Sequence, residues 1–373
     1  MGKLLFIGHT YHQKTKSSLF LLELVRKDYQ ITEFYIDPTM LLDYERMADL
    51  QGESFDVLVV WQVMPVISEI RKYVSWSHAV FFPMYDHYAA LGGFSAKIWR
   101  DYQDFVIISF SRTLYGDLCR CGFDARYIQY FPQPSEISSW GEEKSLFFWQ
   151  RQTILNFATL QKAVQNLEIS KVHLHNAPDP YNKVLPPSAF DKDVIEFFKG
   201  VIYSESRWFE SKEQLYQVLE QSSLYMAPRN LEGIGMSFLE AMAHGRCVIA
   251  PDMPTMSEYI TDGVNGLLYP WDVSSDNHCA TPVPPPVNSV RTMQENAYET
   301  VCKGYERWSK EKYDILEWLK QEARPNIMKL CRRSIRYDWY NTSGSRMAVL
   351  KHYIKCLRRL LSRTLCDFQK KKA

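Results

Sequence analysis

The chain has 373 residues, of which 46% are hydrophobic and 23% charged, with a net charge of +1. That length fits two domains better than one core, and the composition excludes a disordered or collagen-like chain. No apolar run approaches the ~20 residues of a membrane-spanning helix, so a spanning protein is not expected. Eight cysteines are scattered without a C-x-x-C spacing, and Cys119 and Cys121 stand too close for ordinary pairing. With no secretory leader recognised, a reduced, cytoplasmic interior is expected rather than a disulfide framework.

The first apolar run, Lys3-Leu-Leu-Phe-Ile-Gly8, closes on a glycine and reads as the first strand of an α/β domain. Strand-like runs follow at Gln30–Ile36, Phe55–Trp61, His78–Pro83, Phe105–Phe110 and Ala125–Phe131, with helical patterns between them. Alternation at this spacing predicts a parallel sheet covered on both faces. The stretch Phe131-Pro-Gln-Pro-Ser-Glu-Ile-Ser-Ser-Trp-Gly141 is a Pro/Ser-rich connector. A second alternation runs through Ser145–Trp149, Val172–His175, Gly200–Tyr203, Ser223–Pro228, Cys247–Pro251 and Gly266–Tyr269. The expected organisation is therefore two Rossmann-like domains, 1–135 and 145–330, with a ligand crevice between the carboxyl ends of their sheets.

After the rigid Thr281-Pro-Val-Pro-Pro-Pro286 comes a helical tail. Met347, Leu350, Ile354, Leu357, Leu361, Leu365 and Phe368 form an apolar stripe at helical spacing. Lys351, Lys355, Arg358, Arg359, Arg363 and Lys370-Lys-Lys372 surround it. From Lys320 onward fifteen basic residues stand against three acids. Helices over about 335–373 are expected to pack back on the first domain, to meet an anionic membrane surface, or both. Nucleic acid is not an expected partner, because no recognised nucleic-acid motif accompanies the charge.

Chemistry concentrates in Ala227-Pro-Arg-Asn-Leu-Glu-Gly-Ile-Gly-Met-Ser-Phe-Leu-Glu-Ala-Met-Ala-His-Gly245. A buried strand ends at Pro228, a loop with Gly233 and Gly235 turns tightly, and a helix follows with Gly245 at its C-terminal end. Strand, glycine loop and helix N-terminus make an anion site, since free N–H groups and the helix dipole point at it. Glu232 and Glu240 flank that site as hydrogen-bond acceptors suited to sugar and ribose hydroxyls.

The Glu232-to-Glu240 E-x7-E spacing, in this context, resembles that of retaining glycosyltransferases with the GT-B fold, in particular family 4 of bacterial surface-polysaccharide synthesis. The likeness continues through Val248–Glu258 and Asp262–Tyr269. It implies a metal-independent hexosyltransferase without a cofactor, moving a sugar from a nucleotide-sugar donor to a glycan or lipid-linked acceptor. By the same resemblance Glu232 contacts sugar hydroxyls, Glu240 the ribose, and the N–H groups around Ile234, Gly235 and Met236 the phosphate. Arg151 stands where the family clamps the diphosphate; the lysine expected next is missing, and Arg229 could supply the second cation. The catalytic set it implies is Asp86, His87, Glu232 and Arg151, since family members carry a His or Asp in the region of Tyr85-Asp86-His87. A cytoplasmic enzyme, peripheral on the inner membrane face, would follow. The rival readings are a non-catalytic sugar- or partner-binding module and another GT-B enzyme, an epimerase or phosphorylase.

Other polar features read as structural. The first loop, Gly8–Ser18, lacks the family's paired glycines, and its polar residues either meet the acceptor or stay solvated. Asp191-Lys-Asp193 spells D-x-D but reads as helix-start acids. His173 and His175 lack further metal ligands, and Thr255-Met-Ser-Glu258 fits a capping box.

Overall fold

The computed structural model describes residues 1–36, 44–90, 99–179, 182–271 and 281–330. The expected tail helix at about 335–373 lies outside the described residues, as does its basic stripe. The chain separates into two compact units. Residues 1–128 and the described segment from Lys312 form one, and Gln129–Glu311 form the other. Residues 129–135 thus join the second unit, and 312–330 the first, in place of the expected division at 135 and 330.

The first unit is built on six parallel strands, β1 (Gly2–His9), β2 (Tyr29–Ile36), β3 (Ser54–Trp61), β4 (Ser75–Phe82), β5 (Val106–Ser109) and β6 (Ala125–Tyr127). Their spatial order is β2-β1-β3-β4-β5-β6. Leu4–Ile7 and Val57–Trp61 are buried on both faces, which is why these strands read as continuous apolar runs. One face packs Trp99, Tyr102, Phe105, Leu114 and Leu118 against Leu58, Val60 and Phe81. The segment after Lys312 returns to this unit: Asn326 N–H donates to Gly122 O at 2.7 Å, and Leu330 enters the core. Gly122 has φ +101°, and a Cβ there would lie 2.7 Å from Asn326 O. Glycine is required on both counts.

The second unit holds β7 (Glu142–Gln150), β8 (Lys171–Asn176), β9 (Ile202–Ser206), β10 (Ser222–Met226), β11 (Cys247–Pro251) and β12 (Gly266–Tyr269). All pairings are parallel, in the order β12-β11-β10-β7-β8-β9. Counted within the unit this is 3-2-1-4-5-6, the doubly wound order, and the direction of winding reverses between β7 and β10. In the first unit the reversal falls between β1 and β3. Among the described residues no helix is long and apolar enough to cross a membrane.

One buried cation ties the second unit together. Arg246 is fully buried, and burial lowers its pKa to about 10. Its guanidinium donates to the carbonyls of His244 (2.8 Å) and Glu220 (3.1 Å), and to those of Ser222 and Ser139. The connector, the strand β10 and the turn before β11 thus share one set of donors. Arg246→Met should strand these carbonyls and cost about 2–4 kcal/mol, by the penalty for buried groups left unpaired. Urea denaturation followed by tryptophan fluorescence checks this.

Candidate functional site

At the switch point of the second sheet, three charged side chains from three loops meet. Arg151 follows β7, Asp179 follows β8 and Arg229 follows β10. Arg151 Nε and Nη2 both donate to Asp179 Oδ1, at 3.0 and 2.7 Å, and Arg229 Nη2 donates to Oδ2 at 2.5 Å. Asp179 N–H closes the loop by donating to Arg151 O at 2.9 Å. The Arg151 guanidinium also lies 4.9 Å from the Trp149 ring, a cation–π arrangement. Two guanidiniums on one carboxylate leave a net positive site in a largely buried setting. The pairing of Arg151 with Arg229 was legible only as a possibility, and Asp179, which joins them, was missed. Its signal is an acid at the carboxyl end of a buried strand.

The glycine loop has the expected form, with the strain placed on one residue. Gly235 has φ +81° and is the N-cap of the helix Met236–Ala243, while Gly233 is not among the positive-φ glycines. A Cβ on Gly235 would fall 2.0 Å from Phe238 Cε1. The first-turn N–H groups of a helix have no intrahelical acceptors, so this end presents donors. At the other end Gly245 N–H donates to Met242 O and Arg246 N–H to Ala241 O, both at 2.9 Å, with Gly245 at φ +71°. This is a Schellman termination.

The two glutamates differ in their surroundings. Glu232 is buried in the loop, and its carbonyl accepts from Thr255 Oγ1 at 2.8 Å. Glu240 accepts from Lys212 Nζ at 2.6 Å. Lys212 begins the helix Lys212–Leu219, and neither it nor Tyr216 was singled out from sequence. The Tyr216 hydroxyl is pushed well above its usual pKa by burial, and Glu240 adds to the effect. Burial pushes the Tyr225 hydroxyl well above its usual pKa, with smaller effects from Glu232, Arg151 and Glu240.

Asp86 and His87 fall on the short helix Tyr85–Ala90 after β4 of the first unit. Asp86 Oδ1 accepts from His87 N–H at 2.9 Å. His87 Nδ1 lies 3.2 Å from Gln62 O, and His12 Nε2 lies 2.7 Å from Gln62 Oε1. His9 Nδ1 accepts from Tyr11 N–H at 2.9 Å, and its ring centroid lies 5.4 Å from that of His12. The loop after β1 is therefore an ordered histidine cluster. Gln62 was not foreseen.

The structural features read from sequence divide. Asp191 is an N-cap, its carboxylate accepting from Val194 N–H at 3.1 Å. His173 and His175 hydrogen-bond Ser204 and Ser206 at 2.8–2.9 Å, and His175 stacks on Phe209 at 5.0 Å. Thr255 makes no capping box. It is fully buried at φ +78°, and its hydroxyl serves the Glu232 carbonyl instead of a helix N–H. Ser135 Oγ, His244 and Glu220 form a relay at 2.9 and 2.7 Å that sequence did not show. Ser135 N–H donates to Ala243 O and its carbonyl accepts from Tyr298, so the relay pins the connector to the helix end.

Two all-parallel doubly wound units, one carrying a glycine loop, two glutamates and paired arginines at its switch point, define the GT-B architecture. Residues 206–277 match the family model of Glycosyl transferases group 1. Alpha-maltose-1-phosphate synthase of Mycolicibacterium smegmatis is 29% identical over 94 residues, which is 25% of this chain and 24% of that protein. The chain thus spans about a quarter of that curated relative in the match. Sucrose-phosphate synthase from Thermosynechococcus elongatus superposes with a TM-score of 0.58 at 12% identity, over 86% of this chain and 99% of that one. The Anabaena protein Alr3699/HepE, solved in complex with UDP and glucose, gives 0.51 at 12% identity, over 84% and 100%. The chain resembles the group 1 glycosyltransferases in sequence over that segment, and GT-B proteins in fold over most of its length.

Two outcomes follow from the site. Gly235→Ala forces a side chain into left-handed backbone, costing about 1 kcal/mol before the Phe238 clash is counted. Differential scanning calorimetry should show a lower melting temperature. Burial lowers the pKa of His12 and of His175 to about 4 from 6.5, neighbouring charges contributing less. Between those values the unfolded chain binds protons that the folded chain refuses, so stability falls as pH drops from about 6.5 toward 4. His175→Phe, which keeps the stack on Phe209, should flatten part of that dependence in denaturation at pH 7 and pH 5.

Proposed function

We propose that the protein is a retaining glycosyltransferase of the hexosyl class, taking a nucleotide-sugar donor and a glycan or lipid-linked acceptor in surface-polysaccharide synthesis. The observation that carries this reading is the Arg151–Asp179–Arg229 cluster at the same switch point as the Gly235 helix N-terminus. Paired guanidiniums and free N–H groups suit a diphosphate leaving group, whose growing charge they would stabilise without rearrangement. Arg229 takes the part of the lysine missing after Arg151. Asp179 holds both cations in place when no donor is bound. Glu232 would contact the sugar through its carboxylate, its backbone being fixed by Thr255. Glu240 would take the ribose hydroxyls, which requires it to exchange or share its bond to Lys212. Asp86 and His87, in the first unit, would contact the acceptor.

The missing lysine favours a second reading, a sugar-binding module without activity. A donor screen separates the two. One of the UDP-, GDP- or dTDP-sugars should raise the melting temperature and release its nucleotide when acceptor is added. Arg151→Ala should weaken that donor by about tenfold or more, the value of a charge-assisted hydrogen bond of ~1.5–3 kcal/mol. Glu240→Ala should weaken donor and free nucleotide alike, as loss of a ribose contact requires. Binding without release, across a range of glycan acceptors, would favour the module. The basic tail, on sequence grounds alone, is proposed to hold the protein at an anionic lipid surface. Cosedimentation with phosphatidylglycerol vesicles, lost on truncation after residue 335, checks it.

A further inference from the structure

Gln62 stands at the switch point of the first sheet, directly after β3, where the loop from β1 and the helix after β4 converge. It is one of four non-glycine residues with positive φ among the described residues, at +64°. Glutamine gains nothing locally from this conformation, which costs an L-residue about 1–2 kcal/mol. Strain of this kind persists where the surroundings impose it, and such positions cluster at functional sites. Here the backbone is held by Gln62 N–H donating to Phe82 O at 2.9 Å and Val63 N–H to Trp61 O at 2.8 Å.

The twist gives one residue two histidine partners. Its side-chain Oε1 meets His12 Nε2, and its main-chain carbonyl meets His87 Nδ1. A carbonyl oxygen can only accept, so the proton on His87 sits on Nδ1. In the neutral ring Nε2 then carries a lone pair, the reverse of the tautomer an imidazole prefers in water. No bond from His87 Nε2 to a described residue is found. His12, by contrast, is buried, with Nδ1 lacking a partner. Its low pKa keeps it neutral, so it adds no positive charge beside His87 at neutral pH.

We propose that Gln62 is a positioning residue that holds His87 with Nε2 unprotonated, so that this nitrogen accepts a hydrogen bond from a hydroxyl of the acceptor sugar. The sugar part rests on the glycosyltransferase reading; the tautomer part does not. The test is therefore made first without substrate, on the full chain labelled with 15N-histidine, by long-range 1H–15N correlation at pH 8. Wild type should show His87 as the Nδ1–H tautomer. Gln62→Gly tolerates the left-handed backbone and removes only the side chain, so His87 should keep its tautomer while the His12 resonances move. Gln62→Val disfavours positive φ and withdraws the carbonyl, so His87 should shift toward the Nε2–H form.

In a transfer assay Gln62→Val should raise the KM for acceptor about tenfold and leave that for donor unchanged, whereas Gln62→Gly should raise it less than threefold. An Nε2–H tautomer for His87 in wild type overturns the proposal. So does a His87 spectrum identical in wild type and a folded Gln62→Val. The wild-type and Gln62→Gly spectra decide the tautomer question even where Gln62→Val does not fold. If the tautomers behave as stated but both variants transfer sugar like wild type, the hydroxyl contact is overturned. Absence of transfer by wild type with every donor counts against the glycosyltransferase reading and leaves the tautomer result standing.

Discussion

A parallel strand buried on both faces has no room for charge along its length, so polar chemistry is driven to its ends. Both sheets obey this constraint. Leu146, Phe147 and Phe148 of β7 and Leu224, Tyr225 and Met226 of β10 are buried; on their carboxyl side charge begins at Arg151 and Arg229, and at the other end β7 opens on the exposed Glu142, Glu143 and Lys144. Parallel pairing places every carboxyl end on one edge, so loops distant in sequence deliver side chains to a common place. Arg151 and Asp179 are 28 residues apart, and Arg229 a further 50 beyond Asp179. Reversal of the winding direction between β7 and β10 opens the edge where they meet. The equivalent reversal between β1 and β3 gathers His9, His12 and Gln62.

Within each cluster, neutralisation decides the arrangement. A carboxylate as buried as Asp179 is costly unless paired, and two guanidiniums satisfy its two oxygens while leaving excess positive charge. Glu240 and Lys212 follow the same logic on a more exposed helix pair. In the first unit burial keeps His12 neutral at neutral pH, and order is imposed by backbone geometry at Gln62. The two switch points therefore differ on similar scaffolds: paired guanidiniums on one carboxylate in the second unit, and a histidine–glutamine hydrogen-bond cluster in the first.

Backbone conformations that L-residues avoid recur where the site is built. Gly235 turns the chain into its helix, Thr255 bends so that its hydroxyl reaches the Glu232 carbonyl, and Gln62 presents its carbonyl to His87. The Thr255 case shows why a local pattern misled. Thr-x-x-Glu is a capping box when the chain enters a helix in extended conformation. Here the threonine is left-handed and buried, so its hydroxyl faces another loop and the pattern has no helix N–H to serve.

All twelve strands overlap the apolar runs that predict them, β9 by only two residues, because local periodicity and burial coincide in a parallel sheet. The glycine loop, its helix and the Gly245 termination were legible for the same reason: positive φ and helix ends are set by residues within a few positions. Arg151, Arg229, Glu232, Glu240, Asp86 and His87 stand out as candidates from motif and strand-end position. What they touch could not. Asp179 bridging two arginines, Lys212 holding Glu240, and Gln62 joining His12 to His87 all depend on side chains brought together by crossover connections between strands. Hydrogen bonds form over about three ångströms, and only tertiary structure sets distances of that size between residues tens of positions apart.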